Sequence, residues 1–168
     1  MPPMALLVLA AHARRAGWEP RVIDQNFQKL PDEIPDLACL TVWTSIAAQA
    51  YRLADAYRAK GVPVVLGGVH ASLIPIEALR HCDSVVSGEA DTIFGTVLAD
   101  AAAGRLQRMY KGSFQDMDAV PMNHEWADIL DKWPIQRYAP LNTLQTTRGC
   151  RFNCDFCSVI RINGRGSR

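Results

Sequence analysis

The sequence has no apolar run long enough to cross a membrane, and its positive and negative charges nearly cancel. The N-terminal apolar run, residues 5–11, is far shorter than the roughly 20 residues that a spanning helix needs. No basic segment precedes this run, so it does not resemble a signal peptide. A formal net charge of +1 creates no overall field that would attract nucleic acid or a membrane surface. These absences predict a cytoplasmic protein with no membrane span and no nucleic-acid partner.

The cysteines are unevenly distributed along the chain. Of five cysteines, three fall in one short segment near the C-terminus: Cys150, Cys154 and Cys157. An odd count with this clustering does not fit the disulfide framework of a secreted domain, and grouped free thiols are typical of a metal site in a reducing compartment. The other two, Cys39 and Cys82, lie in apolar surroundings, where a free cysteine is usually a small core residue.

Apolar spacing over residues 1–110 alternates between helical and strand-like periods. The predicted helices are residues 4–16, 46–60, 75–81 and 92–103, the predicted strands are residues 21–24, 39–43, 62–66, 84–87 and 106–110, and residues 67–70 form a loop. This alternation predicts a doubly wound, parallel, Rossmann-like α/β sheet with helices on both faces. Such a domain normally begins with a buried strand, whereas a helix begins here close to Met1, so we expect its first strand to be missing.

Residues 111–142 differ in composition from the segment before them. They contain three prolines and have weak periodicity, which predicts a linker with one short helix at residues 126–132. Residues 143–147 are strand-like again and lead directly into the clustered cysteines. We therefore predict three parts: residues 1–110, a linker at 111–142, and a further domain that begins at residue 143.

The clustered cysteines have the spacing C-x3-C-x2-C, with Phe156 directly before the last of them. Three thiolates can hold three irons of a [4Fe–4S] cluster and leave the fourth iron open for chemistry. A zinc site would need a fourth ligand, and the nearest candidate in sequence is His124. A closed electron-transfer cluster would need a fourth thiolate, for which the chain offers only the two cysteines in apolar surroundings. Both alternatives fit the residues less well and stay open.

Residues 148–157 closely resemble the signature of the radical S-adenosylmethionine (radical SAM) superfamily. In that superfamily, a C-x3-C-x-aromatic-C loop follows the first strand of a partial (β/α)6 barrel. Residues 143–147 match that strand, the three cysteines match the cluster ligands, and Phe156 matches the aromatic that packs near the adenine. The resemblance implies a [4Fe–4S] cluster that cleaves S-adenosylmethionine reductively to a 5′-deoxyadenosyl radical. It also implies an electron donor, such as flavodoxin or ferredoxin, and a small-molecule substrate.

The N-terminal part resembles the cobalamin-binding domain that precedes the barrel in one large radical SAM subgroup. The matching residues directly follow predicted strands, at the edge where open α/β sheets bind ligands. They are Thr44, Ser45, Gly67, Gly68, His70, Gly88 and Glu89. In the subgroup, the loops at residues 44–45 and 67–68 receive the nucleotide tail of cobalamin, and residues 88–89 match a third loop. His70 can either touch the cofactor or cap the helix region that begins at Pro75. Each of these short segments alone is a common turn, and the resemblance depends on their order and spacing along the chain.

The chain departs from the pattern of related cobalamin domains in one motif. The mutase-type run Asp-x-His-x-x-Gly, which supplies a lower cobalt ligand, is absent. His12 lies mid-helix without that aspartate or spacing, so we expect a partly exposed helix histidine. This absence argues against histidine ligation of cobalt but leaves cobalamin binding open.

The C-terminal segment is rich in arginine: Arg148, Arg151, Arg161, Arg165 and Arg168. These side chains can contact an anion such as a substrate phosphate, but a solvated loop is the simpler interpretation. The remaining strands of the resembling barrel are not in the sequence, so we expect a piece of a larger enzyme, truncated at both ends.

The sequence is interpreted as a fragment of a radical SAM enzyme that acts together with cobalamin in methylation or related radical chemistry on an unknown substrate. The alternatives are a cobalamin- or nucleotide-binding module and an inactive gene fragment with a remnant cluster loop.

Overall fold

A computed structural model of the chain describes residues 3–121, 125, 127–131 and 145–168. In this part of the chain, four strands form one parallel sheet in the order β1-β2-β3-β4. The strands are β1 (Ala38–Thr41), β2 (Val64–Gly67), β3 (Ser84–Ser87) and β4 (Met109–Lys111). The helices are α1 (Met4–Arg15), α2 (Ala47–Ala59), α3 (Val69–Leu73), α4 (Pro75–Ala78), α5 (Phe94–Ala102), α6 (Ala127–Asp131) and α7 (Val159–Asn163). None of the described helices is long and apolar enough to span a bilayer.

The sheet is buried on both faces, as strand β2 illustrates. Val64 and Leu66 pack with α2, α3 and α4 on one face, whereas Val65 packs with α1 and α5 on the other. Successive side chains of a strand point to opposite faces, so a strand with helices on both sides is apolar throughout. The predicted parallel α/β sheet with helices on both faces is confirmed.

Three predicted elements differ from the structure. The strand predicted at residues 21–24 is wrong, because this stretch is irregular. Val22 packs against α1, and the Asp24 carbonyl oxygen accepts a 2.8 Å hydrogen bond from the Gln28 N–H. Among the described strands, β1 pairs with β2 alone, so residues 21–24 do not extend the sheet at the edge of β1. The loop predicted at residues 67–70 is also wrong, because Gly67 ends β2 and α3 begins at Val69.

The strand predicted at residues 143–147 is not found in the residues that are described. Positions 143 and 144 lie outside them, and residues 145–147 are irregular. The alternative zinc ligand, His124, also lies outside the described residues. The short helix predicted at 126–132 corresponds to α6.

Helix α6 and Glu125, which lies two residues before it, are attached to the end of α1. Arg14 donates two hydrogen bonds of 2.7 Å to the carboxylate of Asp128, and Arg15 donates bonds of 2.7 and 2.6 Å to that of Glu125. Ile129 is buried in the same cluster as residues of α1. This stretch of the predicted linker therefore packs on the α/β sheet domain.

Candidate cofactor site at the carboxyl edge of the sheet

The carboxyl ends of the parallel strands meet at one edge of the sheet. Thr41 lies opposite Gly67 in the register of β1 and β2, and Ser87 lies opposite Lys111 at the ends of β3 and β4. The seven candidate cobalamin residues from the sequence all lie at the end of β2 or in the segments that follow β1, β2 and β3. Open α/β sheets bind their ligands outside this edge, so the fold places all seven on the ligand-binding side.

Gly68 allows the segments after β1 and β2 to approach each other closely. Its φ of 91° and ψ of −176° are essentially restricted to glycine. A Cβ at this position would lie 2.7 Å from the Thr41 Oγ1 and 2.9 Å from the Val42 backbone nitrogen. Gly88 is constrained in the same way, because a Cβ there would lie 2.8 Å from the Gly112 carbonyl oxygen. Contacts within the chain thus require glycine at both positions.

His70 connects two of these segments through its ring. Its Nδ1 lies 3.1 Å from the Thr44 Oγ1, and its Nε2 lies 3.2 Å from the Glu77 Oε1, which also accepts a 3.0 Å hydrogen bond from the Tyr51 hydroxyl. A carboxylate only accepts, so the network assigns a proton to Nε2. His70 is buried in α3. The ring therefore links the Thr44 segment to α4 through the side chain of Glu77.

The same network shifts the ionisation of two of its members. The hydrogen bond from His70, followed by that from Tyr51, lowers the pKa of the Glu77 carboxyl group, although partial burial opposes this. Burial, reinforced by the negative charge of Glu77, raises the pKa of Tyr51 to about 12. Glu77 is therefore held in its charged form and Tyr51 in its neutral form at neutral pH.

We expect the Glu77→Gln variant to have a weaker acid dependence of stability than the wild type. A carboxyl group whose pKa is lower in the folded state than in the unfolded state stabilises the fold. This stabilisation is fully present above the ordinary pKa of 4.5 and is lost as the pH falls through the pKa of the folded state. Urea unfolding midpoints of both proteins, measured from about pH 6 to about pH 3, should converge as the pH falls. Parallel curves over the whole range would show that the carboxylate contributes nothing.

The segment that carries the three clustered cysteines is closed by backbone hydrogen bonds at its ends. Arg148 and Arg168 each donate an N–H to the other's carbonyl oxygen at 3.0 Å, and the Cys150 N–H donates to the Gly164 carbonyl at 3.3 Å. Gly149 has a φ of 93°, and a Cβ there would overlap the Gly166 carbonyl oxygen. Residues 148–168 therefore form a closed loop, which we call the cysteine loop.

The cysteine loop carries three free thiols. Cys150 and Cys157 are half-buried, Cys154 is exposed, and the ring of Phe156 is 93% exposed. The donor chemistry fits an iron–sulfur cluster. In the described part of the chain, however, no three His, Cys, Asp or Glu side chains are gathered into a metal site. The chain thus supplies three thiols on one loop, and in the described residues these thiols are not gathered into a metal site.

The two remaining cysteines differ from each other in environment. Cys82 is fully buried, its Sγ lies 3.2 Å from the Ala78 carbonyl oxygen, and burial raises its pKa to about 11. It is the core residue that the sequence predicts. Cys39 has surface exposed on β1, which has a strand neighbour on one side only among the described strands. Its thiol is nevertheless surrounded by protein atoms, and this burial raises its pKa to about 12.

Two of the C-terminal arginines correct the prediction of a solvated basic segment. The Arg148 guanidinium lies 3.0 and 3.3 Å from the two Asp91 carboxylate oxygens and 3.2 Å from the Glu89 Oε2. Arg168 forms an ion pair with Glu89 and lies over the Phe114 ring, 4.5 Å from its centroid. These carboxylate partners are between 57 and 79 residues distant in sequence from the arginines that they bind, so sequence spacing gave no signal of them.

Glu89 therefore has a different environment from that of the other candidate cofactor residues. Its side chain is buried, and its carboxylate accepts hydrogen bonds from two arginines and from the Gln115 N–H at 2.9 Å. His12 lies nearby, with its Nε2 4.0 Å from the Asp91 Oδ1, and burial lowers its pKa. Its side chain is 16% exposed, so the prediction of a partly exposed helix histidine is confirmed.

A family model described as "B12 binding domain" matches residues 1–98. This match spans more than half of the 168 residues, and the chain belongs to the B12-binding domain family. The parallel four-stranded α/β sheet is consistent with the Rossmann-like fold of such a domain.

The chain is also similar to named methyltransferases. Bacteriochlorophyllide d C-8(2)-methyltransferase of Chlorobaculum tepidum is 36% identical over 135 residues, which cover 79% of this chain and 30% of the relative. Bacteriochlorophyllide d C-12(1)-methyltransferase of the same organism is 29% identical over 168 residues, covering 99% of this chain and 37% of the relative. Hopanoid C-2 methylase of Rhodopseudomonas palustris is 25% identical and is covered to 32%. The chain thus spans about a third of the length of these curated relatives.

Proposed function

We propose that this chain is the cobalamin-binding part and cluster loop of a radical SAM enzyme that methylates, or carries out related radical chemistry on, a small-molecule substrate. The observation that carries the proposal is the attachment of the cysteine loop to the carboxyl edge of a B12-binding domain. Arg148, two residues before the first clustered cysteine, binds Glu89 and Asp91 directly after β3. The names of the similar methyltransferases support the reaction class.

In this proposal, Cys150, Cys154 and Cys157 hold three irons of a [4Fe–4S] cluster, and S-adenosylmethionine takes the open iron, with Phe156 near its adenine. When bound, the cluster supplies the electron that cleaves S-adenosylmethionine, and cobalamin supplies a methyl carrier. A flavodoxin or ferredoxin is the electron donor. The exposed thiol of Cys154 is accessible to incoming iron without a rearrangement of the core.

The residues at the carboxyl edge of the sheet fit cobalamin in their chemistry. Thr44 and Ser45 are exposed hydroxyl residues there, and the large apolar side chains of Trp43 and Ile46 beside them are exposed as well. Ligand sites combine apolar surface with a few polar groups, and a corrin ring with a polar tail presents both. At Gly67, an added Cβ would have its nearest neighbour at 3.7 Å, so the backbone there is more open than at Gly68. In the proposal, Gly67, Gly68 and Gly88 contribute main chain.

A cobalamin-binding module without a working cluster is a second candidate function. The observation that favours it is that the family match ends at residue 98, well before the cysteine loop. In that case, cobalamin uptake would not depend on iron.

Anaerobic reconstitution of the purified chain with iron and sulfide, followed by titration with hydroxocobalamin, separates the two functions. The radical SAM proposal expects about four irons per chain, together with a change in the visible cobalamin spectrum. Cobalamin uptake with fewer than about three irons per chain would favour the module. One tetrahedral zinc with a fourth side-chain ligand would contradict the cluster.

A further inference from the structure

Four charged side chains form a buried cluster between the loop after β3 and the cysteine loop. They are Glu89, Asp91, Arg148 and Arg168, with side chains 5%, 9%, 10% and 23% exposed. Taking charges out of water is costly unless they are paired and hydrogen-bonded. Here each carboxylate faces at least one guanidinium, and we call these four residues the clamp.

The geometry of the clamp favours one arrangement of the cysteine loop. Arg148 bridges both carboxylates, with its Nη1 3.2 Å from the Glu89 Oε2 and 3.0 Å from the Asp91 Oδ2. The planar guanidinium fixes direction as well as distance, which a lysine ammonium does not. Arg168 binds the other oxygen of Glu89 and also donates to the Asn163 carbonyl at 3.1 Å. Both ends of the cysteine loop are thus held by Glu89, and the Arg148 end is held by Asp91 as well.

The backbone reinforces this attachment. Arg148 and Arg168 exchange two N–H···O=C hydrogen bonds of 3.0 Å, so one anchoring point holds the entry and the exit of the loop. Cys150 is two residues from Arg148, whereas Asp91 lies in the short Ala90–Thr92 turn between β3 and α5. A displacement of Arg148 would therefore move the first clustered thiol relative to the sheet edge.

We propose that Glu89 and Asp91 are positioning residues that hold the cysteine loop at the carboxyl edge of the sheet through Arg148 and Arg168. The side chain of Glu89 binds the arginines of the cysteine loop, and the Gly88–Glu89 segment contacts cobalamin through its main chain alone. The attachment itself is a property of the chain without cofactors. Its consequence, a fixed placement of the cluster beside cobalamin, rests on the proposed function.

Amide hydrogen exchange on the cofactor-free chain tests the attachment. In Glu89→Gln, Asp91→Asn and Arg148→Gln, exchange within residues 148–168 should be faster by at least about tenfold, because each change removes ion pairs from a buried charged cluster. Amides of β2 and β3 should exchange as in the wild type. Glu33→Gln is the matched control, because Glu33 pairs with Arg21 on the surface, with both side chains more than half exposed. Unchanged exchange in the loop, or equal acceleration in the sheet, would overturn the proposal.

A double-mutant cycle tests whether Asp91 acts through Arg148. If the two side chains interact directly, Asp91→Asn together with Arg148→Gln should accelerate loop exchange no more than Arg148→Gln alone. Arg148→Lys keeps the charge and should restore only part of the protection. Additive effects of the two changes would show that the residues act independently and would contradict the clamp.

The role of Glu89 is decided by cobalamin affinity. The Glu89→Gln variant should bind hydroxocobalamin within about twofold of the wild type, since a lost side-chain contact would cost about tenfold or more. Reconstituted Glu89→Gln should also release iron to a chelator faster than the wild type does. A weakened cobalamin affinity with normal loop exchange would instead make Glu89 a cofactor contact. If the wild type takes up no iron, the proposed function fails, whereas the exchange experiment still decides the clamp.

Discussion

Replacement of Cys154 by alanine is expected to remove iron from the anaerobically reconstituted chain. The wild type should hold about four irons and the variant fewer than about one, because two thiolates cannot retain a cubic cluster in water. Cys154 is exposed, so its truncation leaves no cavity in the core and should not alter the free energy of unfolding. Iron and sulfide analysis, together with the visible absorption band of the cluster, measures the effect.

The control for this experiment is Cys39→Ala. Cys39 is also exposed and free but lies on β1, away from the cysteine loop in the sequence. It should leave the iron content at the wild-type level. Equal loss of iron in both variants would mean that the metal is bound nonspecifically by accessible thiols, and the assignment of Cys150, Cys154 and Cys157 as cluster ligands would be withdrawn.

The second large effect is expected for Gly68→Ala. Alanine would have to adopt a backbone conformation that only glycine occupies readily, and its Cβ would lie 2.7 Å from the Thr41 Oγ1. We expect a loss of about 3 kcal/mol in the free energy of unfolding, the sum of backbone strain and local overpacking. Hydroxocobalamin affinity should fall by at least about tenfold, because the segments after β1 and β2 would be pushed apart.

Gly61→Ala separates the two causes. Gly61 has a φ of 77°, but an added Cβ there meets no atom within 4 Å. It should therefore show the backbone cost alone, about 1 kcal/mol, and leave cobalamin affinity unchanged. Urea unfolding of the two variants gives the difference directly. Equal destabilisation of the two variants would show that the close approach at Gly68 relaxes without cost, and it would contradict the prediction for Gly68→Ala.

Local pattern was sufficient to predict most of the sheet. Strand β3 was predicted with the bounds that the structure has, and helices α1 and α2 differ from their predictions at their ends only. These elements are apolar at the period of their own secondary structure, so neighbours along the chain carry the signal. Residues 21–24 look like a short strand in the sequence but are irregular in the structure. Strand formation also requires backbone pairing with another strand, which the sequence of these residues alone does not specify.

The site was predictable as a set of residues but not as a set of contacts. The B12-binding domain family and the position of the candidate loops follow from motif order, and the family match agrees with them. His70 was ambiguous from its position. The structure shows its ring between Thr44 and Glu77, a pairing that depends on the packing of α3 and α4 beside the segment after β1.

The sequence by itself determined the fold class, the order of the loops at the ligand edge and the three clustered thiols, because each is encoded in the spacing of adjacent residues. Only the tertiary structure decided that Arg148 and Arg168 are buried against Glu89 and Asp91. Charged residues this far apart in sequence look solvated, since nothing local shows that the fold removes them from water together. Their burial depends on the cysteine loop folding back onto the edge of the sheet, and that return is a property of the whole chain.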